Sequence, residues 1–540
     1  MIDKSKNMPV QRALELLRGL TPAADAASLI ERLQAGTSSE SEWQDSGELL
    51  LHNDASAAVS LLAAAVDSMP ESPGLHYLLG NALRVSARAD EAESALRKAL
   101  LLDPAHANAS TSLAHLLREQ GRMKALAEVM QNAWRNQPRT LENDQKILAF
   151  LCQCERFAEA DSLIPAMLAA HPQDPFLLRQ AGEIALVLGR FDEARKHLRS
   201  SLDADPKQAS AWLRLAHTHR FTDADDADVS LFTAATKRSD LGIEVSTSIG
   251  FGLGKALDDL GRFDEAATVF NRANSDWRSS HPWDAGAWQQ FVTTQTNSLA
   301  QIRARNDSRS DSDITPVFIV GLPRSGTTLV ESLLTRDAQV RGRGELNWMA
   351  PLARQLGPNP SAAMLTSAAD FLLAQLRQDD TPARFIIDKN PLNFRHLSLI
   401  NAMLPGAKII HCRRNPRDTA LSLWSQHFAH EDLAWSYDFA DIGHYMGGYD
   451  ALMTHWHRVL PNPVFTLDYE TLVEDSEASI AQVRAFLGLE ATSTPPAQEH
   501  TRTITTASTW QARQEVHQNS VGRWRHYQAH LPGLLAIAER

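Results

Sequence analysis

The sequence predicts a multidomain chain, with an all-α solenoid first and then a three-layer α/β domain built on a mainly parallel sheet. Three observations predict it. A step of 34 residues runs through the first half. At residues 315–334 an apolar run, a glycine-bounded loop and an amphipathic segment follow one another. At residues 407–424 a second apolar run ends in arginines and a helix-opening proline.

The repeat comes first in the chain. Pro70, Pro104, Pro138, Pro172 and Pro206 are each 34 residues apart. The same step links Ala58, Ala92, Leu126, Ala160 and Ala194, and again Gly80, Ala114, Leu148, Gly182 and Ala216. Each unit reads as two short amphipathic helices. In residues 175–206 the first helix ends near Gly189, and small Gly182 and Ala194 let the pair approach closely. The proline stops the second helix. No unit buries its apolar face alone, so neighbours must stack. The period and the small–small–Pro pattern resemble the tetratricopeptide repeat (TPR) over about residues 40–220. Residues 1–40 look helical but fit the period poorly, as a capping segment does. Gly189 and Gly261 are 72 residues apart, two repeats plus four, so the phase breaks. That places a small insertion near 220–245, with the acidic stretch 223–228 in or beside it. The array is expected over 41–280, a linker over 281–314 and the α/β domain over 315–540. The repeat residues themselves are read as packing. A concave face suits a protein or peptide partner, and tethering or a homodimer stay equally open.

Composition sets limits. The chain has 540 residues, 43% hydrophobic and 22% charged, which is globular. Its three cysteines, Cys152, Cys154 and Cys412, exclude a disulfide scaffold and suggest a reducing compartment. Neither they nor the scattered histidines match a structural zinc spacing. No apolar stretch is long enough to span a membrane, and the N-terminal residues lack the apolar core of a signal peptide. The expected address is the cytoplasm. The net charge of −12 is uneven. Residues 301–540 carry 23 Lys and Arg against 25 Asp and Glu, so the acidity lies in the first 300 residues and argues against nucleic-acid binding there.

At 315–334, Val317 to Val320 read as a buried strand, Gly321 to Gly326 as a loop, and Thr327 onward as a helix. Strand, glycine loop and helix start make an anion cradle, with backbone N–H groups and the positive helix end aimed at a phosphate. The spacing nearly fits a nucleotide P-loop, but Thr327 stands where that motif has lysine. This argues against ATP or GTP hydrolysis, and Arg324 supplies a cation inside the loop instead. At 407–424, Lys408 to Cys412 read as a second buried strand. Arg413, Arg414 and Arg417 follow, Pro416 opens a helix, and Ser422 lies eight residues after Arg414. Cations at the carboxyl end of such a strand suit a second phosphate, which guanidinium groups hold bidentately. A solvated surface turn is the plainer reading of the cluster.

Together the two elements resemble the sulfotransferase family, in particular its tyrosylprotein sulfotransferase-like branch, with a P-loop NTPase-like fold. PRSGTT (323–328) resembles the family's loop for the 5′-phosphosulfate, which implies that Pro323, Arg324, Ser325, Gly326, Thr327 and Thr328 bind the donor. RRNPRDTALS (413–422) resembles its 3′-phosphate motif and implies Arg414 and Ser422. The donor implied is 3′-phosphoadenosine 5′-phosphosulfate (PAPS), with no metal. VRGRGELNW (340–348) holds a Gly-Glu pair at the place of the branch's general base, which implies Glu345. DKNP (388–391) resembles the family's Lys-Asp-Pro segment, with Asn390 for Asp, and implies Lys389 on the leaving side. SVGRW (520–524) resembles the element that closes over the nucleotide and implies Ser520 and Arg523. LDYETLVED (467–475) resembles a strand-to-helix turn of the family.

The reaction so implied moves a sulfuryl group to a hydroxyl or phenol, protein tyrosine included. Glu345 takes the acceptor proton, and Arg324, Lys389 and the loop N–H groups meet the charge on the leaving oxygen. Duller roles stand beside these. Glu345 also suits a helix cap or a pair with Arg341 or Arg343, and Lys389 a surface pair with Asp388. His411 reads as buried structure, while His427 and His430 rank below Glu345 as bases. The animal tyrosylprotein enzymes carry arginine soon after the catalytic glutamate; here Trp348 is in that neighbourhood, with Arg354 beyond. Two rivals remain, a P-loop kinase-like enzyme and a non-catalytic TPR adaptor.

Overall fold

The computed structural model describes residues 7–21, 23–297, 313–428, 430–489 and 518–539. Among them, no helix is long and apolar enough to cross a membrane. The chain divides into two compact units, Met1–Ala160 with Gln378–Asp380, and Asp161–Arg377 with Thr381–Arg540.

The repeat prolines punctuate the helices as the sequence predicts. Helices end at Ser68, Leu102, Asn136, Ala170 and Ala204, each two residues before a proline of the row, and restart at Pro73, Ala107, Leu141, Pro175 and Ala209. Starts are capped by short polar side chains. Ser39 forms a capping box with Glu42, and Asp54, Ser72 and Thr140 each accept from the first turn. The small positions are small for a measurable reason. A Cβ on Gly80 would sit 2.6 Å from Leu96 Cγ and 3.2 Å from the Ala92 carbonyl oxygen. On Gly182 it would sit 2.6 Å from Leu198 Cγ and 3.2 Å from the Ala194 oxygen. Equivalent repeat positions thus meet equivalent neighbours. Seventeen helices precede the first strand among the described residues.

The phase break has a structure. A short helix, Ala209–Leu215, precedes the inserted helix Ala227–Ala235. Two long helices follow, Ile243–Asp259 and Phe263–Ser280. The acidic stretch is partly built in, with Asp223 and Asp225 exposed. Asp226 caps the inserted helix, and fully buried Asp228 takes Arg195 and Arg199. Residues 285–297, inside the expected linker, form a helix whose Trp288 and Val292 are buried. Its Trp288 occupies space that Gly448 leaves open, since a Cβ there would lie 2.4 Å from Trp288 Nε1. Residues 298–312 lie outside the described residues.

The sheet has five parallel strands: β1 (Thr315–Gly321), β2 (Val340–Gly342), β3 (Phe385–Asp388), β4 (Lys408–Arg413) and β5 (Val464–Asp468), in the order β2-β3-β1-β4-β5. Alternate residues of β1 face opposite layers. Val317 and Ile319 pack with Val330, Leu333, Val483 and Leu487. Phe318 and Val320 belong to a larger core that holds Trp424, Tyr449 and Trp456 together with Trp212, Phe232, Phe251 and Phe270 of the preceding helices. The last repeat helices and the α/β domain therefore share one core within the second unit. The chain leaves β1 toward β3 and later returns beside it as β4. The strand ends of β1 and β4 thus form the crevice where ligands bind in open α/β sheets.

That shared core buries His427, and it leaves His217 and His396 half-buried. Burial, aided by neighbouring positive charge, pushes His217, His396 and His427 down to about 4. Their unfolded value is near 6.5, so between about pH 6.5 and 4 the unfolded chain binds more protons than the native one. The stability linked to neutral imidazole is present above pH ~6.5 and is lost as pH falls, by up to about 1.4 kcal/mol per unit for each group. Melts at pH 7, 6 and 5 should show a progressive fall in Tm, and an unchanged Tm would contradict the burial of these rings.

Candidate active site

The loop after β1 is held in an uncommon backbone. Gly321 has φ 156°, and a Cβ there would strike the Cys412 carbonyl oxygen at 2.4 Å. Gly326 has φ 95°, and its Cβ would meet Tyr469 Cδ2 at 2.5 Å. Between them Arg324 takes φ 72°, a left-handed conformation that costs a non-glycine residue about 1–3 kcal/mol and tends to mark functional sites. Gly326 caps the helix Thr327–Leu334 with no side-chain bond. Pro323, Ser325 and Thr327 are buried, and Thr328 is half-buried in the first turn of that helix. Ser325 Oγ is buried without a partner.

Three guanidinium groups converge here from distant segments. Arg324 Nε donates to Ser422 Oγ at 3.0 Å. Arg414 donates through Nη1 to the Arg324 carbonyl at 3.0 Å and through Nη2 to the Ser520 carbonyl at 2.6 Å. It lies over the Tyr469 ring at 4.6 Å, and its Nε is buried without a partner. Arg523 Nη2 donates to Asp258 Oδ2 at 2.6 Å. The charges act on one another. Burial first, then Arg414 and Arg523, push Arg324 down to about 10. Burial also lowers Arg414, against the pull of Tyr469 and Asp418. For Arg523 burial works against the charge, yet Asp258 holds it above its ordinary value. Mutually repelling, half-buried cations with unsatisfied donors among them suit an anion.

Only one arginine of the 413–417 cluster serves this site. Arg413 pairs with Asp468 at the surface, and Arg417 is spent on Glu539 and the Leu535 and Ile537 carbonyls. The plainer surface reading therefore fits Arg413, whereas Arg417 is half-buried against the C-terminal segment and Arg414 turns to the loop.

The second constellation follows β2 and β3. Lys389, with no exposed surface, places Nζ 2.6 Å from Glu345 Oε1, while the Glu345 side chain keeps 41% of its surface open. Parallel ladders extended past the strand ends set this geometry, with Arg343 N on the Ile387 carbonyl at 2.9 Å and Lys389 N on the Gly344 carbonyl at 2.8 Å. Lys389 is thus no surface partner of Asp388. Asp388 is itself buried and accepts from Asn390 N and Asn393 Nδ2. Arg343 spends its Nε and Nη2 on the Leu376 and Arg377 carbonyls. Glu345 is also among the charges that favour the charged form of Arg324, after Tyr469.

The histidines drop out. His411 binds Tyr449 and His457 inside the structure. His427 is buried against Phe251 and Tyr437, and His430 is an exposed cap of the segment Glu431–Tyr437.

Sequence reasoning missed two carboxylates. Asp258, in the helix Ile243–Asp259, accepts from Arg523 and from Tyr527 Oη at 2.5 Å. Asp418 accepts from Gly522 N at 2.6 Å and Trp524 N at 3.0 Å, which fixes the segment that carries Ser520 and Arg523. Asp418 lay within a quoted motif and was passed over. Asp258 sits in a helix that reads as plain repeat, and no local signal marks it. A further polar cluster, His219 with Asp226 and Asp228, has metal-ligand spacing, but Arg195 and Arg199 already occupy its carboxylates.

Comparisons with known proteins agree with this organisation. Residues 316–493 match the sulfotransferase family, and residues 49–116 and 175–218 match tetratricopeptide repeats. The chain is 28% identical over 405 residues to an uncharacterized protein of Aquifex aeolicus, covering 71% of this chain and 52% of that one. It is 28% identical over 220 residues to cytosolic sulfotransferase 12 of Arabidopsis thaliana, covering 37% of this chain and 63% of that one. The chain thus spans between half and two thirds of the length of these relatives. Among solved structures, YrrB, described as a TPR protein with an unusual peptide-binding site, is 17% identical. The match covers 34% of this chain and 95% of that one, with a TM-score of 0.27. A thermophilic TPR protein in Thermus thermophilus is 19% identical, covering 33% and 98%, with a TM-score of 0.22.

Proposed function

Starting from a chain that carries a sulfotransferase-family domain behind tetratricopeptide repeats, we propose that it moves a sulfuryl group from PAPS to a hydroxyl or phenol acceptor. One observation carries the reading: Arg324, Arg414 and Arg523 converge on a glycine-bounded helix start, with Ser325 Oγ and Arg414 Nε buried and unpartnered among them. These donors fit a nucleotide with phosphates at both ends. The loop 323–328 would hold its 5′ side, and Arg414, Ser422, Ser520 and Arg523 its 3′ side. The donor supplies an activated sulfuryl group, and the protein supplies position and charge.

Glu345 takes the acceptor proton. It is open to solvent on one side and oriented by Lys389 on the other, as a positioned base should be. Lys389 and Arg324 face the oxygen that gains charge as the bond to sulfur breaks. Lys389 is buried and Arg324 half-buried, and fixed cations in a site of low dielectric stabilise developing charge without reorganising. Thr327 in place of the P-loop lysine disfavours the kinase reading. The repeats act as a protein-binding module in the cytoplasm, with three cysteines outside any disulfide in keeping with a reducing compartment.

The experiment is a melting-temperature shift with 3′-phosphoadenosine 5′-phosphate (PAP), the desulfated product, beside ATP and AMP. A ligand at 100 times its Kd stabilises by about 2.7 kcal/mol. A shift with PAP alone, lost in Arg414→Ala, is the expected result and leads to transfer assays with labelled PAPS. A shift with ATP instead overturns the reading in favour of a kinase, and no shift at all in favour of an adaptor.

A further inference from the structure

The helix Thr327–Leu334, which starts at the anion loop, carries a single carboxylate, Glu331, whose place the anion site does not explain. Glu331 follows Thr327 by four residues and so lies on the same face of the helix. It is half-buried, and its Oε1 accepts from Gly344 N at 2.9 Å. Gly344 comes immediately before Glu345 and has φ 61°. Its carbonyl accepts from Lys389 N at 2.8 Å. Both backbone groups of Gly344 are thus taken, one by the helix behind the donor loop and one by the segment after β3. The Glu345 carboxylate itself meets Lys389 Nζ at 2.6 Å.

The spaced glycines of VRGRGE (340–345) have a reason in this contact. A Cβ on Gly342 would lie 2.6 Å from Glu331 Oε1 and 3.0 Å from its Cδ. A bare backbone at 342 therefore lets the carboxylate pass across β2 to Gly344. β2 is an edge strand, so a neighbouring strand supplies acceptors on one side alone. An ionised carboxylate makes the stronger kind of hydrogen bond to a backbone N–H. Glu331 keeps its place although it opposes a neighbour: burial first, and Glu331 as a lesser cause, push Asp388 up to about 7. A charge retained against such repulsion needs a compensating partner, and Gly344 N–H is one.

Resting on the sulfotransferase reading above, we propose that Glu331 is a positioning residue, which holds Gly344 and so fixes where the Glu345 carboxylate stands relative to the donor loop. In the transfer, the acceptor oxygen bonds to sulfur as the bond from sulfur to the PAP oxygen breaks, and the acceptor proton passes to Glu345. That proton moves only over a hydrogen-bond distance, so the base must be placed accurately. A displacement of about 1 Å costs on the order of 10²-fold in rate. Thr327 and Glu331 share one helix, so the base is referenced to the cradle that holds the donor. Glu331 touches neither phosphate nor acceptor in this reading, and its effect falls on kcat.

The test uses the full chain with Glu331→Ala, Glu331→Gln and Gly342→Ala. The last variant displaces the carboxylate and leaves it in the chain. Amide hydrogen exchange at Gly344, read by mass spectrometry, should quicken roughly tenfold or more in Glu331→Ala and Gly342→Ala. It should stay near wild type in Glu331→Gln, whose carboxamide oxygen still accepts. With labelled PAPS and 4-nitrophenol as probe acceptor, kcat of Glu331→Ala should fall roughly 10–100-fold, with KM for PAPS kept within about twofold. Glu331→Gln should recover most of that loss, and every variant should keep the PAP melting shift. Unchanged exchange in Glu331→Ala overturns the proposal. So does faster exchange with unchanged kcat, and so does a fall in PAP affinity equal to the fall in kcat, which marks general damage to the donor helix. Wild type with neither a PAP shift nor transfer overturns the sulfotransferase reading and the base role with it, whereas the exchange result alone decides the hold on Gly344. The two failures are therefore told apart.

Discussion

Glu345→Gln should lower sulfuryl transfer by roughly 10²–10⁴-fold, the usual worth of a positioned general base, while PAP still raises the melting temperature as in wild type. The amide keeps an oxygen for Lys389 Nζ, now 2.6 Å from Glu345 Oε1, so the buried lysine is not stranded. It cannot accept the acceptor proton. Loss should therefore appear in kcat, with donor binding spared, because Glu345 pairs with Lys389 and is not one of the residues proposed to hold the phosphates. A fall in PAP affinity equal to the fall in rate would show instead that Glu345 serves only to hold Lys389. Unchanged turnover would remove the base assignment.

Asp258→Ala should destabilise the second unit by about 3–5 kcal/mol, as removing one member of a poorly solvated ion pair does. Asp258 and Arg523 are 265 residues apart in sequence, and their side chains keep 14% and 26% of their surface exposed. The loss strands a guanidinium that already presses on Arg324 and Arg414, and leaves Tyr527 Oη without its acceptor. At about 2 °C per kcal/mol for a unit of this size, Tm should fall by roughly 6–10 °C. Arg523→Ala should fall less, since Tyr527 Oη still donates to the Asp258 carboxylate and one of three mutually repelling guanidinium groups is gone. The double variant should sit well short of the sum, with a coupling of about 0.5–3 kcal/mol. Strict additivity would mean that the repeat helix and the C-terminal segment do not act through this pair.

Such a result would bear on why the repeats and the α/β domain share one chain. The helix that carries Asp258 reads as an ordinary repeat helix, with Gly254 admitting Phe270 in its second half. One of its carboxylates nevertheless fixes a residue of the anion site. The last repeat helices are therefore part of the site's scaffold as well as of the array.

What the sequence determined by itself is whatever depends on neighbours along the chain. The prolines at a 34-residue step set where helices end, because proline forbids the next turn whatever surrounds it. The loop 321–326 was legible for the same reason, since Gly321 and Gly326 are required by the backbone's own path between β1 and its helix. The parallel sheet was legible from continuous apolar runs at 317–320 and 408–412. Tertiary structure alone decided which charges meet. Arg413, Arg414 and Arg417 look alike in sequence, yet only Arg414 turns to the loop, because Asp468 and Glu539 claim the other two. His427 looked free to approach an acceptor until Phe251 of a repeat helix stacked on it. A stretch expected to link two domains became the helix Ala285–Asn297, because Trp288 found the space left by Gly448. Backbone preference acts over a few residues and is written locally. Charge pairing and burial act across space, and are settled only when segments far apart in sequence share one core.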